Sequence, residues 1–389
     1  MYRATHLFIG LCLSLLLFPG LLLPGRSFAQ RRPTWDPKNT YALLVGVLQW
    51  QTPRLHGFPN NGRKDRAFEA QLLADGVPRQ NVVFLEDQKA TRDAIRRELA
   101  TIAQRAPRGS TLIFYYAGHG LRDGSDTFFA NFDVDDTDHE HMRATALAMK
   151  EVATILGRSF HGDRVILLAD CCHSGALADV VSAEAQEGVR VAALTSATAS
   201  NRSTGHWTFT ESLIAAFAGN GAVDGNHDNT LTFHEIDDFV HSEMRFREDQ
   251  LTHAARARSF ENEFVLRQVD PRHVIPVGSG PWYIDDYAES DWKGKPYRVQ
   301  IIAARGGQYR VHYIGYPDTW DTWVTPDNLR KITPGNWKVG DHLEANWKGK
   351  WFPAVIQRVE EGYFYFVDYD GWGPEWNEWV TEKYMRRAP

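Results

Sequence analysis

Thiols are scarce in this chain of 389 residues, which contains three cysteines. Cys12 lies in an apolar N-terminal run, and the other two, Cys171 and Cys172, are adjacent. Adjacent cysteines are poorly placed for an ordinary disulfide, which excludes a small fold held together by structural bridges. A chemical role for the two thiols therefore gains weight, although a free cysteine can also serve as a small buried hydrophobe.

A surplus of either charge is also lacking, because 43 basic and 49 acidic residues give a formal net charge of -6. An electrostatic nucleic-acid binder would need a basic domain, so no nucleic-acid partner is expected. The hydrophobic content of 43% is that of an ordinary globular protein and excludes wholesale disorder. The length favours two or three domains over a single core.

The N-terminus has the pattern of a secretory signal. Arg3 precedes the apolar run 7–23, and the small residues Ser27 and Ala29 occupy the two positions that a signal peptidase recognises. This pattern predicts a signal peptide over residues 1–29, cleaved after Ala29, and an exported protein that is periplasmic or secreted. An uncleaved membrane anchor is the alternative, although Pro19 and Gly20 interrupt a run already short for a membrane span.

Strand and helix patterns alternate between residues 36 and 269. Short apolar runs rich in β-branched and aromatic residues are typical of strands buried on both faces of a parallel sheet. This alternation predicts an α/β fold, an αβα sandwich with a mostly parallel sheet. The predicted strands are Tyr41–Leu48, Asn81–Leu85, Thr111–Ala117, Arg164–Ala169 and Val189–Leu194, and the predicted helices are Arg63–Leu73, Thr91–Gln104, Lys150–Leu156, Thr208–Ala218 and His234–Glu243.

Two of the predicted strands end next to reactive side chains. Thr111–Ala117 leads to His119, and Arg164–Ala169 leads to Cys172. Ligands of open α/β sheets bind outside the carboxyl ends of the strands, so we expect the imidazole and the thiol to share one crevice. A thiol nucleophile beside a base is the arrangement of a cysteine peptidase.

The composition changes abruptly after residue 269. Residues 270–281 are rich in Pro and Gly and are predicted to be a linker, and ten of the 13 tryptophans follow it. The segment Trp292–Lys295 recurs at Trp347–Lys350, and further aromatic positions recur at a constant offset. This repeat predicts two small β-barrels, over residues 282–333 and 335–389.

The two motifs, Tyr116–Gly120 (YAGHG) and Asp170–Gly175 (DCCHSG), resemble those of caspase-like peptidases of the metacaspase and bacterial caspase-homologue type. The resemblance implies a caspase-like fold, Cys172 as the nucleophile and His119 as its base. It also implies that the backbone N–H groups of Gly120 and Cys172 form the oxyanion hole. His173 neighbours the nucleophile in sequence and is the less favoured candidate for the base.

Two carboxylates bear on substrate preference. Asp65 and Asp170 match acidic positions that line the primary specificity pocket in metacaspases, so the resemblance implies cleavage after Arg or Lys. A pair of carboxylates in a partly buried pocket is best satisfied by a cation such as a guanidinium group. Asp65 could instead be an acidic residue favoured at a helix N-terminus.

No cofactor is expected to be required, but one loop has the spacing of a calcium site. Asp224, Asn226, Asp228 and Glu235 could supply oxygen ligands in an EF-hand-like loop. A polar turn followed by a capped helix explains the same pattern. The acidic segment 133–140 resembles only one part of the metacaspase calcium site. The second acidic cluster of that site is missing, which argues against calcium activation of that kind.

The C-terminal repeats resemble Tudor- or SH3-like barrels, from the Gly340–Ala345 segment and its following aromatic residues. Such barrels could bind an unknown protein or surface ligand, hold a methylated ammonium in an aromatic cage, or support the peptidase. The combined prediction is an exported cysteine endopeptidase that uses a Cys-His dyad to cut after Arg or Lys in a peptide or protein. The alternatives are a catalytically silent homologue that binds partners through its barrels, and a cysteine-dependent enzyme of another kind.

Overall fold

The computed structural model describes residues 32–183, 189–201, 205–272 and 281–388. The predicted signal peptide and most of the predicted linker lie outside these residues. Within the described ranges, no helix has both the length and the apolar character needed to cross a membrane.

The N-terminal part of the chain, up to residue 272, alternates strands and helices. Its described strands are β1 (Thr40–Gly46), β2 (Val82–Glu86), β3 (Thr111–Ala117), β4 (Gly120–Asp123), β5 (Asp126–Phe129), β6 (Leu147–Ala148), β7 (Arg164–Asp170), β8 (Arg190–Thr195), β9 (Thr230–Thr232), β10 (His253–Arg256) and β11 (Val265–Gln268). Its described helices are α1 (Lys64–Ala74), α2 (Arg92–Arg105), α3 (His139–Thr145), α4 (Met149–Ser159), α5 (Gly175–Ala183), α6 (Thr208–Phe217) and α7 (Phe233–Glu248).

The central sheet has the strand order β10-β8-β7-β3-β1-β2. Its strands are parallel except for β10, which pairs antiparallel with β8 at one edge. Strand β3 shows why the sheet is central: Ile113 and Tyr115 pack into the core on one face, and Leu112 and Phe114 into the core on the other. The predicted mixed α/β fold with a mostly parallel sheet is confirmed.

Helices cover both faces of this sheet, as a sheet that is apolar on both sides requires. Helices α1, α6 and α7 contribute to the core on one face, and α2, α4 and α5 to the core on the other. Thr91 caps α2, since its hydroxyl accepts a hydrogen bond from the Ala94 amide at 3.2 Å. Helix α7 extends to Glu248, five residues beyond its predicted end.

A small sheet of strands β4, β5 and β6 follows the His119 motif, and it was not predicted from the sequence. Helix α3 begins inside the acidic segment 133–140, where Asp138 caps it by accepting a hydrogen bond from the His141 amide at 2.9 Å. These elements are short, and short elements give weak sequence periodicity.

The repeat predicted after residue 281 forms two antiparallel sheets. The first module (residues 282–333) contains β12 (Tyr287–Trp292), β13 (Lys295–Arg305), β14 (Gln308–Tyr313), β15 (Thr322–Val324) and β16 (Leu329–Arg330). The second module (residues 335–388) contains β17 (His342–Trp347), β18 (Lys350–Glu360), β19 (Phe364–Tyr369), β20 (Glu378–Val380) and β21 (Met385–Arg387).

The two modules share one strand order. It is β15-β14-β13-β12-β16 in the first module and β20-β19-β18-β17-β21 in the second. Strand β17 begins 55 residues after β12, whereas β19 begins 56 residues after β14. The extra residue lies in the turn between the second and third strands. This turn has three residues (361–363) in the second module and two glycines (306–307) in the first. The repeat is therefore structural, and the closure of these sheets into SH3- or Tudor-like barrels stays a prediction.

Candidate active site

The register of the central sheet brings the two sequence motifs together. Strands β3 and β7 are parallel neighbours, and Ala117 pairs with Asp170. His119 and Cys172 each lie two residues beyond this pair, at the carboxyl ends of the strands. Both residues line one cavity of about 660 Å³, within the usual size range of ligand-binding pockets.

The two adjacent cysteines have different environments. Cys171 is 1% exposed and belongs to the apolar core under the sheet, and burial raises the pKa of its thiol well above the usual value. Cys172 is half-buried and lines the cavity. A reactive thiol must be accessible and able to ionise, so the geometry favours Cys172 as the nucleophile and gives Cys171 the role of a small buried hydrophobe.

Gly120 lies against the backbone of the nucleophile. A Cβ atom at this position would lie 1.7 Å from the carbonyl oxygen of Cys172, so any larger residue would displace the Cys172 loop. The predicted oxyanion donors, the N–H groups of Gly120 and Cys172, therefore belong to chain segments in close contact. Their role in binding an oxyanion stays a prediction.

The His119 ring is held by its neighbours. Its Nε2 lies 2.8 Å from the backbone carbonyl of His56, and the ring packs on Trp50 and Phe58 at centroid distances of 4.5 and 4.6 Å. A carbonyl oxygen can only accept a hydrogen bond, so this contact favours the tautomer with the proton on Nε2 and the lone pair on Nδ1.

The same packing affects the basicity of His119. Burial is the largest influence and lowers the pKa of the imidazole, and the hydrogen bond to the His56 carbonyl acts in the opposite direction. The neutral imidazole, which can accept a proton, is therefore favoured near neutral pH. His56, Trp50 and Phe58 come from the loop between β1 and α1, and no motif in that loop indicated that it reaches His119.

His173, the alternative base, is engaged elsewhere. Its Nδ1 lies 3.0 Å from the Ala199 carbonyl, and its amide donates to the Asn201 carbonyl at 2.8 Å. Its backbone is left-handed, with φ of 56°, which turns the chain directly after Cys172. His173 is absent from the described residues that line the cavity, and these contacts indicate a structural role in the turn.

Asp65 is placed differently from the expectation. Its side chain has no solvent exposure, and its Oδ2 accepts a hydrogen bond from Nη2 of Arg63 at 2.6 Å. The same Nη2 donates to the Gly46 carbonyl at 3.0 Å, and a Cβ atom on Gly46 would lie 1.9 Å from Asp65 Oδ2. Asp65 is also absent from the described residues lining the cavity, so it could receive a substrate cation only if Arg63 moved away.

Asp170 does line the cavity, although the residue is largely buried, with only 8% of its surface exposed. The Thr210 hydroxyl donates to its Oδ2 at 2.6 Å, and Ser196 provides a further side-chain hydrogen bond. Burial raises the pKa of the Asp170 carboxyl to about 7, against the effect of these two hydrogen bonds. A buried carboxyl of this kind would gain from a cationic substrate group that offsets its desolvation.

Two further carboxylates line the same cavity and were not predicted from the sequence. Glu211 belongs to α6, and Glu248 is the last residue of α7. Arg247 also lines the cavity and forms an ion pair with Glu243 at 2.9 Å, so its charge is partly compensated. No sequence motif marked the two glutamates, because helices far apart in the chain bring them to the cavity.

The candidate calcium loop is internally hydrogen-bonded. Asp224 accepts hydrogen bonds from the amides of Asp228 and Asn229 at 3.1 and 2.8 Å, and Asn226 Oδ1 accepts from the Asp228 amide at 2.8 Å. Glu235 Oε2 accepts from the Thr232 amide and hydroxyl in a capping box at the start of α7. These contacts are those of a capped polar turn, and calcium binding stays a prediction.

Both modules carry a cluster of aromatic side chains. In the second module the cluster contains Trp347, Phe352, Tyr369, Trp372 and Trp376, which surround a small cavity. Trp372 and Trp376 are 41% and 40% exposed, and their rings are 5.1 Å apart at 77°. Tyr369 belongs to the core of the second module, and Trp347 and Phe352 pack against that core, whereas Trp372 and Trp376 are not part of it.

Comparison with known proteins finds a similarity over the segment that contains both motifs. Residues 42–181 match the model of the metacaspase peptidase C14 domain. Metacaspase-4 of Arabidopsis thaliana is 26% identical over 159 residues, which are 38% of this chain and 37% of that protein. Metacaspase-2 of Trypanosoma brucei brucei is 28% identical over 153 residues, 36% of this chain and 42% of the relative.

The chain therefore spans about two fifths of the length of these curated metacaspases. A Geobacter sulfurreducens protein of known crystal structure covers 59% of this chain and 97% of its own, with 17% identity and a TM-score of 0.43. The predicted resemblance to metacaspases is confirmed for the segment that contains His119 and Cys172. Helices α6 and α7 and the two modules lie outside the matched segment.

Proposed function

We propose that the protein is a cysteine endopeptidase that cleaves peptide bonds after Arg or Lys. The observation that supports this most strongly is the cavity lined jointly by Cys172, His119 and the buried Asp170. The match of residues 42–181 to the metacaspase peptidase domain supports the same reaction class.

In the proposed reaction, the Cys172 thiol transfers its proton to Nδ1 of His119, and the thiolate attacks the scissile carbonyl carbon. The backbone N–H groups of Gly120 and Cys172 donate to the oxyanion that forms. The intermediate collapses as the C–N bond breaks, and the leaving amine takes the proton from His119. Water, deprotonated by His119, then hydrolyses the thioester and restores the Cys172 thiol.

A basic side chain before the scissile bond is supported by the acidic lining of the cavity. Among the described residues that line it, Asp170, Glu211 and Glu248 contribute carboxylates and Arg247 contributes a guanidinium group. Glu211 is already paired with Lys64 at 2.8 Å. This differs from the expectation based on Asp65, whose carboxylate is paired with the chain's own Arg63. We therefore assign the substrate cation to Asp170 together with Glu248.

Paired peptide reporters that end in Arg, Lys or Asp test this proposal. Wild type should cleave the Arg and Lys reporters, Cys172→Ala should be inactive, and Cys171→Ala should retain the activity if it folds. Activity in Cys172→Ala would contradict the nucleophile assignment. A preference for Asp over Arg would contradict the assigned pocket.

A binding role of the modules is the second candidate function, favoured by the exposed aromatic residues of the second module. In this alternative the chain is a catalytically silent homologue that recruits a protein or surface ligand. In that case the wild-type chain would cleave none of the Arg and Lys reporters, and it would still bind a partner through its modules.

We also propose that the protein is exported and begins at Gln30 after cleavage. N-terminal sequencing of the protein recovered from outside the cytoplasm of the producing cell tests this directly. An uncleaved N-terminus would favour the anchor alternative.

A further inference from the structure

The C-terminal end of α7 forms part of the wall of the proposed substrate cavity. Its last two residues, Arg247 and Glu248, line the cavity together with Asp170. Glu248 accepts a hydrogen bond from the Thr208 hydroxyl and lies 2.8 Å from His206 Nδ1, and both of these residues also line the cavity. Helix ends are among the less stable parts of a fold unless other contacts hold them. Contacts to the residues next to Glu248 therefore affect the shape of the cavity.

Both β modules reach the residue that follows Glu248. Asp249 ends α7 in a left-handed conformation with φ of 53°. Its Oδ1 lies 2.5 Å from Nη1 of Arg298 in the first module, and its Oδ2 lies 3.7 Å from Nζ of Lys383 in the second. One carboxylate thus joins two modules to the helix end, one residue away from the cavity.

The first module also contacts the last turn of α7. The Tyr287 hydroxyl donates to Glu243 at 2.6 Å, and the Tyr287 ring stacks on Phe246 at 4.8 Å. Glu243 in turn pairs with Arg247 at 2.9 Å. A single carboxylate therefore connects the module to a residue that lines the cavity.

The second module contacts the loop beside the nucleophile. The Asn201 side-chain amide donates to the Trp379 carbonyl at 3.0 Å and accepts from the Trp379 amide at 2.9 Å, and all four atoms are buried. The Asn201 carbonyl accepts from the amide of His173, the residue after Cys172. The second module is thus linked to both sides of the cavity.

We infer that the two β modules hold the cavity in its substrate-binding shape, and that Asp249 is the positioning residue through which they act. This inference rests on the proposed peptidase function and deepens it, because it makes the modules part of the substrate site. Groups that bind a substrate are effective only when their positions are fixed before it arrives, and a small displacement of these groups weakens binding. Release of Asp249 should therefore weaken substrate binding while the Cys172-His119 pair stays intact.

The test uses full-length Asp249→Ala, Arg298→Ala and the double variant with an Arg reporter. Each single substitution should raise KM about tenfold and leave kcat within about twofold of wild type. The double variant should show no further increase over Asp249→Ala, since that substitution already removes the contact between Asp249 and Arg298. Asp249→Glu keeps the charge and should recover most of the affinity.

Glu361→Gln is a matched control, because Glu361 also joins the second module to α7. It contacts His241 at 3.0 Å and Arg245 at 2.5 Å, and neither is among the described residues that line the cavity. This variant should leave KM unchanged, and thermal unfolding will show that each variant is folded.

The possible results separate the inference from the proposed function. An unchanged KM in folded Asp249→Ala and Arg298→Ala, beside an active wild type, overturns the inference and leaves the peptidase standing. An equal rise of KM in Glu361→Gln also overturns it, because the effect would then be general. A wild-type chain inactive on every reporter overturns the proposed function and the inference together.

Discussion

Replacement of Asp170 by Asn should stabilise the protein while it abolishes cleavage after Arg. Burial raises the pKa of the Asp170 carboxyl from 3.8 to about 7, so ionisation is more costly in the folded chain than in the unfolded one. A shift of about 3 pKa units corresponds to roughly 4 kcal/mol at about 1.4 kcal/mol per unit. Asn carries no charge, and its amide oxygen can still accept the Thr210 hydrogen bond.

The sign of the pH dependence follows from the raised pKa. Between the unfolded and folded pKa values, the folded chain binds the additional proton, so wild-type stability falls as pH rises through this window. The stability that wild type loses between the unfolded pKa and pH 5 is already lost at pH 5, so it does not add to the change between the two measurements. The stability difference between Asp170→Asn and wild type should therefore grow by about 2–3 kcal/mol between about pH 5 and pH 8.5.

Urea unfolding of both full-length proteins at the two pH values measures this difference. Groups other than Asp170 titrate in both proteins, and their contributions cancel. Asp93→Asn, on an exposed part of α2, is the control and should change stability little at either pH. A difference that does not grow with pH, or a variant less stable than wild type at the higher pH, would refute the role assigned to Asp170.

Three other predictions follow from named contacts. Arg63→Ala leaves the buried Asp65 carboxylate without its ion-pair partner and should lower the unfolding free energy by about 3–5 kcal/mol. Arg66→Ala removes an exposed ion pair and should change stability much less, so equal losses in urea unfolding would contradict this. Because burial lowers the pKa of His119, the acid limb of kcat should lie below pH 6.5, and a pH-rate profile with a higher limb would count against this base. Removal of calcium by a chelator should leave cleavage unchanged, since Glu235 is engaged in a helix cap; activity lost on chelation and restored by calcium would contradict this expectation.

The sheet and the site motifs could be predicted from the sequence because their signals are local. The continuous apolar runs of β3 and β7 indicated neighbouring parallel strands, and the register confirms that their ends lie side by side. The repeat of the tryptophan-rich modules was equally visible, because both copies preserve the spacing of their strands. These features depend on residues close together in the chain.

The features that could not be predicted arise from contacts that form only when the chain is folded. The carbonyl of His56 orients His119 from a loop without a motif, and Arg63 neutralises Asp65 through a contact that only the folded loop creates. Glu248 reaches the cavity because α7 is longer than its periodicity indicated. A sequence pattern identifies the type of a side chain, but its charge partner depends on tertiary packing.

Covalent labelling tests the central claim most directly. A peptide chloromethyl ketone that ends in Arg alkylates a nucleophilic thiol only after its guanidinium group has been bound nearby. Mass spectrometry of the digested protein should find the adduct on Cys172, and Asp170→Asn should slow the labelling strongly. An adduct on Cys171, or labelling equally fast with a reagent that ends in Asp, would contradict the account.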